Sequence, residues 1–343
     1  MMTGQALAAP RILGRYRGAI ERELRELVAD HKLPLYQMIR YHLGFEDRDG
    51  GNIDHYAGKA LRPSLLLFAH EALGGELREA LPAAVAVELT HSFSLVHDDI
   101  QDRDLERHGH PAVWQLFGVG QAINAGDALR ELAALSMLEL QGRFPPEVIL
   151  GALQLLDRAT LEMIEGQYLD LGFEAQSKVT IQDYLEMIER KTGALLGAAL
   201  EIGAKLAGGD QQVIQSFKNC GRRFGLCFQI RDDILGIWGD RSRTGKSTTT
   251  DILRRKKSLP IVYLLNSPQG AELRPIYQKA ALDKGDLRSV MEMLDEAGAR
   301  EWSEGIAEEH CRQALAELKG MELPRWAGEL LEELAQFLLT RER

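Results

Sequence analysis

Glu88-Leu89-Thr90-His91-Ser92-Phe93-Ser94-Leu95-Val96-His97-Asp98-Asp99-Ile100-Gln101-Asp102 decides how this chain of 343 residues folds. The run begins as an apolar helix and ends in carboxylates. On a helix, Asp98 and Asp102 stand four apart and share one face. No basic residue separates them, so they repel. A hard divalent cation with oxygen ligands is the natural compensation. A second pair, Asp232-Asp233, follows another apolar helix about 130 residues later. Helix C-termini disfavour carboxylates, because their free carbonyls already carry negative charge. Two acidic helix ends therefore suggest a cage of Mg²⁺ ions around a polyphosphate.

Composition agrees with a helical chain. Hydrophobic residues make up 45% of it, ample for a large core, and prolines number only 11. Leu, Ala and Glu, which favour helix, dominate. Length alone suggests about two domains, but nothing reads as a linker, so one helical domain over residues 1–343 is expected. The net charge of −10 argues against a nucleic-acid surface. There is no run of about 20 apolar residues and no apolar leader, so neither a membrane span nor a signal peptide is expected. The three cysteines follow no metal or disulfide spacing. Cys220 and Cys227 read as buried thiols, which suits a reducing cytoplasm.

Apolar periodicity predicts helices near 11–30, 34–43, 58–73, 82–105, 120–141, 146–171, 181–207, 210–238, 251–265, 287–296, 301–318 and 327–340. Residues 1–10 read as frayed and Phe45–Ile53 as a loop. No period-two run exceeds a few residues, so no β-sheet is predicted. The polar run 239–250 reads as a mobile cover bearing Lys246.

Several cations are set among these elements. Lys59 and Arg62, three apart at a predicted helix start, favour an anion such as phosphate. Lys191 lies in apolar surroundings, which is costly for an ammonium unless it meets an anion. Each motif alone has a plainer reading: solvated charges at 59 and 62, a snorkelling Lys191, an exposed acidic turn at 232–233. Together with Arg107 and Lys246 they fit a substrate with a diphosphate head and an apolar body. No Ser-His-Asp order, Walker loop or dinucleotide fingerprint competes.

On these residues the chain resembles the all-trans polyprenyl diphosphate synthases of the geranylgeranyl and farnesyl type, over about residues 55–265. Asp98-Asp99-Ile100-Gln101-Asp102 resembles the family's first aspartate-rich motif, flanked by Leu95-Val96-His97 and Gly109-His110-Pro111. Phe228-Gln229-Ile230-Arg231-Asp232-Asp233-Ile234-Leu235 resembles the second. The resemblance implies an all-α helical bundle around a central cavity, a homodimer, and three Mg²⁺ ions per site. It implies that Asp98 and Asp102 bind two of the ions and Asp232 the third, with Asp99 and Asp233 in support. Arg107, Lys191, Thr192, Gln229, Lys246 and Lys256 would surround the allylic diphosphate. Lys59, Arg62 and His91 would bind isopentenyl diphosphate, and Gln167 and Asp170 would line the cavity. A terpene cyclase and a non-catalytic partner subunit are the rival readings; the isopentenyl diphosphate pocket counts against the first and the near-complete residue set against the second.

Two positions depart from the commonest pattern. His108 stands where many members carry a second Arg, which predicts weaker or more pH-dependent isopentenyl diphosphate binding. Gly236 replaces the third Asp of the second motif, and Asp240 lies further on, so Asp232 is expected to carry the metal alone. Within the family, residues just before the first aspartate form the floor of the product cavity. Phe93 and Ser94 stand five and four before Asp98. Five residues are about 7.5 Å of helix. An aromatic at the first position and a small residue at the second resemble synthases of the C20 product, geranylgeranyl diphosphate. Farnesyl or longer products, and Phe93 as ordinary core, are the alternatives.

Overall fold

The computed structural model describes residues 9–53, 58–176, 178–239, 250–279 and 281–341. The expectations for Lys246, Asp240 and the cover at 240–249 fall outside these residues. The fold is all-α, as the periodicity predicts. Helix α1 (Arg11–Ala29) buries Ile12, Tyr16, Ile20 and Leu24, one side of the cylinder at four-residue steps. It packs on α3 (Leu61–Ala72) and α4 (Leu77–Gln101), and α2 (Pro34–His42) leans on α6 (Val119–Leu138). Short α5 (Val113–Phe117) leads into α6, and α6 packs along α4. Helix α7 (Pro146–Ala175) follows, then α8 (Ile181–Ile188), α9 (Ala194–Leu206) and α10 (Gln211–Trp238).

The prediction of a helix start at Pro82 is corrected: α4 runs through Pro82 from Leu77. Proline has no N–H for the carbonyl of Arg78 one turn back, and loses that bond. Arg143 Nη1 donates to that carbonyl instead, at 2.9 Å. Ser136 Oγ of α6 donates to Pro82 O, also at 2.9 Å.

Helices α9 and α10 meet through glycines. A Cβ on Gly225 would stand 2.5 Å from Gly193 Cα, and one on Gly221 2.8 Å from Gly197 Cα. Backbones can come this close only where side chains are missing, so the crossing fixes Thr192 against α10. Between α8 and α9 lies one π-turn, Glu189–Gly193, within what reads from sequence as continuous α-helix. Its wider winding rotates Lys191 and Thr192 relative to an α-helical path, and such turns gather at functional sites.

Beyond α10 the helix expected over 251–265 is broken into α11 (Thr250–Leu253) and α12 (Leu259–Asn266), and a missed helix, α13 (Gly270–Tyr277), follows. Arg255 causes the break: its φ of 57° lies in the left-handed region and ends α11. Helices α14 (Lys284–Glu296), α15 (Ala299–Glu317) and α16 (Arg325–Thr340) complete the chain, with α15 packed on α10. All three cysteines are buried, and Cys227 on α10 faces Cys311 on α15.

One small antiparallel ladder contradicts the absence of strand. β1 (Glu106–Arg107) pairs with β2 (His110–Pro111) across His108-Gly109. Both turn residues have positive φ, 55° and 80°, as a tight hairpin turn requires. Two residues per strand are too few to leave a period-two signal.

Candidate active site

Helix α4 ends at Gln101, and Asp102 caps it with its N–H bonded to Asp98 O at 2.8 Å. Asp98 is half-buried and Asp102 exposed, so this pair faces the open rim. Asp99 turns inward and is 1% exposed. Arg107 of β1 grips it, Nε donating to Oδ1 at 2.9 Å and Nη2 to the same oxygen. The hairpin thus brings a guanidinium against the first motif. Asp104 receives Arg107 at 4.0 Å and also pairs with Arg254 just after α11.

Burial pushes Asp98 up to about 6; Lys191 pulls against that rise and Asp102 adds to it. The ammonium of Lys191, from the π-turn, donates to Asp170 of α7 at 2.6 Å. Gly166 permits this: a Cβ there would stand 2.6 Å from Lys191 Cα. Burial alone would raise Asp170, but Lys191 and Lys256 hold it below the usual carboxylate range. Gln167, one turn earlier, donates to Gln101 Oε1 at 2.9 Å beside Asp102.

At the end of α10, Asp232 is half-buried and Asp233 is 1% exposed. Tyr184 Oη of α8 and the backbone N–H of Leu259, the latter at 3.0 Å, both donate to Asp233 Oδ2. Gln229 Nε2 donates to its other oxygen at 3.3 Å. Thr192 Oγ1 donates to Gln229 Oε1 at 2.9 Å, which ties the π-turn to the second motif. Burial pushes Asp233 up to about 6, opposed by Lys256. Lys256 is itself raised: burial opposes its charge, but Asp251, Asp170, Asp233 and Asp102 together outweigh burial. One ammonium therefore feels acids of both runs.

Arg341, beyond α16, reaches Asp232. Its Nη2 donates to Asp232 Oδ1 at 2.7 Å and to Phe228 O at 2.8 Å, and the guanidinium lies 3.9 Å over the Phe228 ring. Nothing local in the sequence marks this contact, nor that of Tyr184 with Asp233 or of Asp104 with Arg254, because each joins segments far apart in the chain.

Lys59 precedes α3 rather than lying on it, because Ala60 adopts φ 52° and the helix starts at Leu61. The three-residue helical spacing expected for Lys59 and Arg62 therefore does not apply. Arg62 does meet His91, its Nη1 donating to His91 Nε2 at 3.0 Å. Burial drives His91 well below its ordinary value, helped by Arg62 and Arg107. His91 is thus neutral, and because Nε2 accepts, its proton sits on Nδ1. Arg62 Nε is buried with no hydrogen-bond partner among the described residues. A cavity of about 320 Å³ opens nearby, lined by Arg107 and His108 from the hairpin and by Tyr41, His42 and Arg48. His42 is pushed down to about 3 by burial and by the charge of Arg107.

Among the described residues no three acid, histidine or cysteine side chains converge as a closed metal cage. The donors still fit Mg²⁺, which keeps several waters and takes only one or two carboxylates beside substrate phosphates. Asp99 Oδ2 and Gln167 Oε1 are buried acceptors left without a donor, and the raised Asp98 lacks a full counter-charge.

This all-α frame, with acids at two helix ends and cations between them, is that of an isoprenoid synthase. The polyprenyl synthetase family model matches residues 51–294. The chain is 37% identical to a (2E,6E)-farnesyl diphosphate synthase of Mycobacterium tuberculosis, covering 96% of this chain and 93% of that one. It is also 37% identical to a geranylgeranyl diphosphate synthase of the same organism, over 90% of this chain and 88% of the relative. A solved polyprenyl synthetase from Streptomyces coelicolor superposes with a TM-score of 0.88 at 36% identity, covering 96% of this chain and 98% of that one. The chain belongs to the polyprenyl synthetase family and is a prenyl-transferring enzyme.

Proposed function

We propose that the enzyme joins isopentenyl diphosphate to an allylic diphosphate with Mg²⁺ and releases geranylgeranyl diphosphate. One observation carries the reading: cations stand against acids at both helix ends, Arg107 on Asp99 and Arg341 on Asp232, with Lys191 on Asp170 at 2.6 Å. Asp98 and Asp102 would hold two Mg²⁺ ions and Asp232 the third, with Arg341 giving up Asp232 as that ion enters. When bound, Mg²⁺ neutralises the diphosphate and makes it a better leaving group.

The chain's own residues supply the rest. Lys191, Lys256, Arg107 and, outside the described residues, Lys246 take up the remaining negative charge on the allylic diphosphate. Its departure leaves an allylic cation beside Thr192 and Gln229, whose oxygens lie 2.9 Å apart and present negative dipole ends. Lys59, Arg62 and neutral His91 hold isopentenyl diphosphate, with Arg62 Nε free to donate to it. Its double bond attacks the cation, a carbon–carbon bond forms, and a proton passes to the departed diphosphate. No side-chain base is needed, but water must be kept out, or it would quench the cation.

Phe93 supports the product length. It is 9% exposed and packs edge-on to His97 with ring centroids 5.1 Å apart. Ser94 beside it is half-buried, its hydroxyl turned back onto His91 O at 2.7 Å. Farnesyl diphosphate is the second reading, because relatives named for each product are equally similar, at 37% identity. The Phe93→Ala variant is expected to make longer products; products no longer than those of the wild type remove Phe93 as the floor.

We further propose one helical domain over residues 1–343, working as a cytoplasmic homodimer. No helix among the described residues is long and apolar enough to cross a membrane. Ile123 and Leu135 of α6 and Leu161 and Ile164 of α7 are exposed, an apolar face suited to a second copy. The test of function is to incubate the protein with Mg²⁺, labelled isopentenyl diphosphate and either geranyl or farnesyl diphosphate. Longer diphosphates are expected; hydrocarbons would indicate a cyclase, a product from geranyl but not from farnesyl diphosphate a farnesyl diphosphate synthase, and no product from either a non-catalytic subunit.

A further inference from the structure

His42 is the last residue of α2 and belongs to neither acidic run. The backbone around it is held at two points. Tyr41 Oη donates to Pro111 O of β2 at 2.7 Å, which pins the end of α2 to the hairpin. Gly44, with φ 78°, then turns the chain out of the helix. Its N–H bonds Tyr41 O at 3.0 Å and the N–H of Phe45 bonds Arg40 O at 2.8 Å, a paired closure that needs a left-handed residue. Leu43 and Phe45 are buried, and half-buried His42 lines the cavity with Arg107 and His108.

The charges around that cavity are lopsided. A histidine in the last turn of a helix is ordinarily favoured as a cation by the free carbonyls. Here burial, and after it the charges of Arg107 and His108, outweigh the helix end and push His42 down to about 3. His91 feels the same field, from Arg62, Arg107, His42 and His108. Side chains of α2, α3, α4 and the hairpin thus surround one space. The acids of the neighbouring loop are engaged elsewhere. Glu46 accepts from Arg40 Nε at 2.6 Å, and Asp47 Oδ1 accepts the N–H groups of Asp49 and Gly51 at 2.9 and 2.7 Å. Arg48 and Asp49 pair with each other at the exposed edge, at 3.4 Å.

We propose that His42 is a further ligand of the isopentenyl diphosphate head, donating a ring N–H from α2 where His108 falls short of a guanidinium fork. A neutral ring suits the place. A third guanidinium beside Arg62 and Arg107 would repel both while the pocket is empty, whereas an imidazole adds a donor without adding charge. Arg62 Nε, buried and without a partner among the described residues, approaches the same anion from α3. No motif marks His42, because α2 meets the hairpin only once the chain has folded.

This inference rests on the proposed function, and the test separates the two. Isopentenyl diphosphate and inorganic pyrophosphate are each titrated calorimetrically into the full-length protein with a chelator present. His42→Leu is expected to weaken both ligands about 10- to 100-fold, the range for one hydrogen bond to a charged group. His42→Gln keeps an N–H donor and is expected to stay within about threefold of the wild type. The KM for farnesyl diphosphate, held at Lys191 and Lys256, is expected to change by less than about twofold, since distant contacts act independently. Wild-type binding by His42→Leu overturns the inference. So does a loss confined to isopentenyl diphosphate with pyrophosphate unaffected, which places the contact on the hydrocarbon. Equal losses in the Leu and Gln variants, or an equal rise in the KM for farnesyl diphosphate, make His42 a structural residue and overturn it as well. If the wild type binds neither ligand, the proposed function falls and takes the inference with it.

Discussion

Asp99 and Asp233 stand second in their two acidic runs, and both turn away from the rim into the protein. They are held differently. Asp99 is gripped by the guanidinium of Arg107, carried in by the hairpin. Asp233 is held by a phenol, an amide side chain and a backbone N–H, none of them charged. The outer acids differ in the reverse sense. Asp98 and Asp102 have no hydrogen-bonded cation among the described residues, whereas Asp232 already holds Arg341. The α4 end therefore anchors with charge and leaves its working face open. The α10 end anchors without charge and covers its working face with an arginine. On the proposed function, repulsion between acids would be relieved by entering cations at the first end, and by exchange of Arg341 for a metal ion at the second.

Removing an outer acid should have the largest effect. Asp98→Asn and Asp232→Asn are each expected to lower the rate of isopentenyl diphosphate incorporation on the order of 10³-fold, the scale for losing one electrostatic element of a preorganised site. If Asp232→Asn kept more than a tenth of the rate, the two ends would not be equivalent in function.

The inner acids test the anchoring. Asp99→Asn takes from the half-buried Arg107 its hydrogen-bonded counter-charge, leaving only Asp104 at 4.0 Å, and should destabilise the fold by about 3 kcal/mol. Asp233→Asn keeps an oxygen for Tyr184 and Leu259 and should cost about 1 kcal/mol. Urea unfolding measures both, and the reverse order would break the comparison.

A smaller effect separates function from stability. Without metal, Asp98 and Asp233 sit at about 6, above the ordinary aspartate value of 3.8. The stability this raise contributes is complete below about pH 3.8 and is lost as pH rises through 6. His42, lowered to about 3, has the opposite sense: its contribution is present above 6.5 and is lost as pH falls toward 3. Asp98→Asn should therefore stabilise the metal-free protein by about 2 kcal/mol at pH 7.5 and by almost nothing at pH 4. Unfolding with a chelator present reads this; an equal gain at both pH values refutes it.

The smallest expected change is at the hairpin tip. His108→Arg adds a fixed charge to the cavity beside Arg107 and should lower the KM for isopentenyl diphosphate by about two- to fivefold, with less pH dependence. An unchanged KM across pH 6 to 8 would show that the tip does not reach that substrate.

Much of this was legible in the sequence because it follows local periodicity. The end of α10, the acids of both runs and Lys191 among apolar neighbours are set by local spacing, although α4 ends at Gln101 and not at the expected Leu105. Pro82 misled because a proline read as a helix start lies inside α4, where the Arg78 carbonyl it leaves without a donor accepts from Arg143. The break at Arg255 was hidden because arginine takes a conformation expected of glycine. The π-turn leaves the apolar pattern intact, so only coordinates reveal it. Tyr184, Arg341 and Asp251 reach the site from segments that carry no mark of their destination.

Pro82 has a further consequence. Arg143 and Ser136 clamp α4 at that point, so the helix behaves as a ruler whose zero is pinned 16 residues, about 24 Å, before Asp98. A single residue gained or lost along that length would swing every carboxylate at its tip by about 100°. The gene can drift in letter between those two points far more freely than in length.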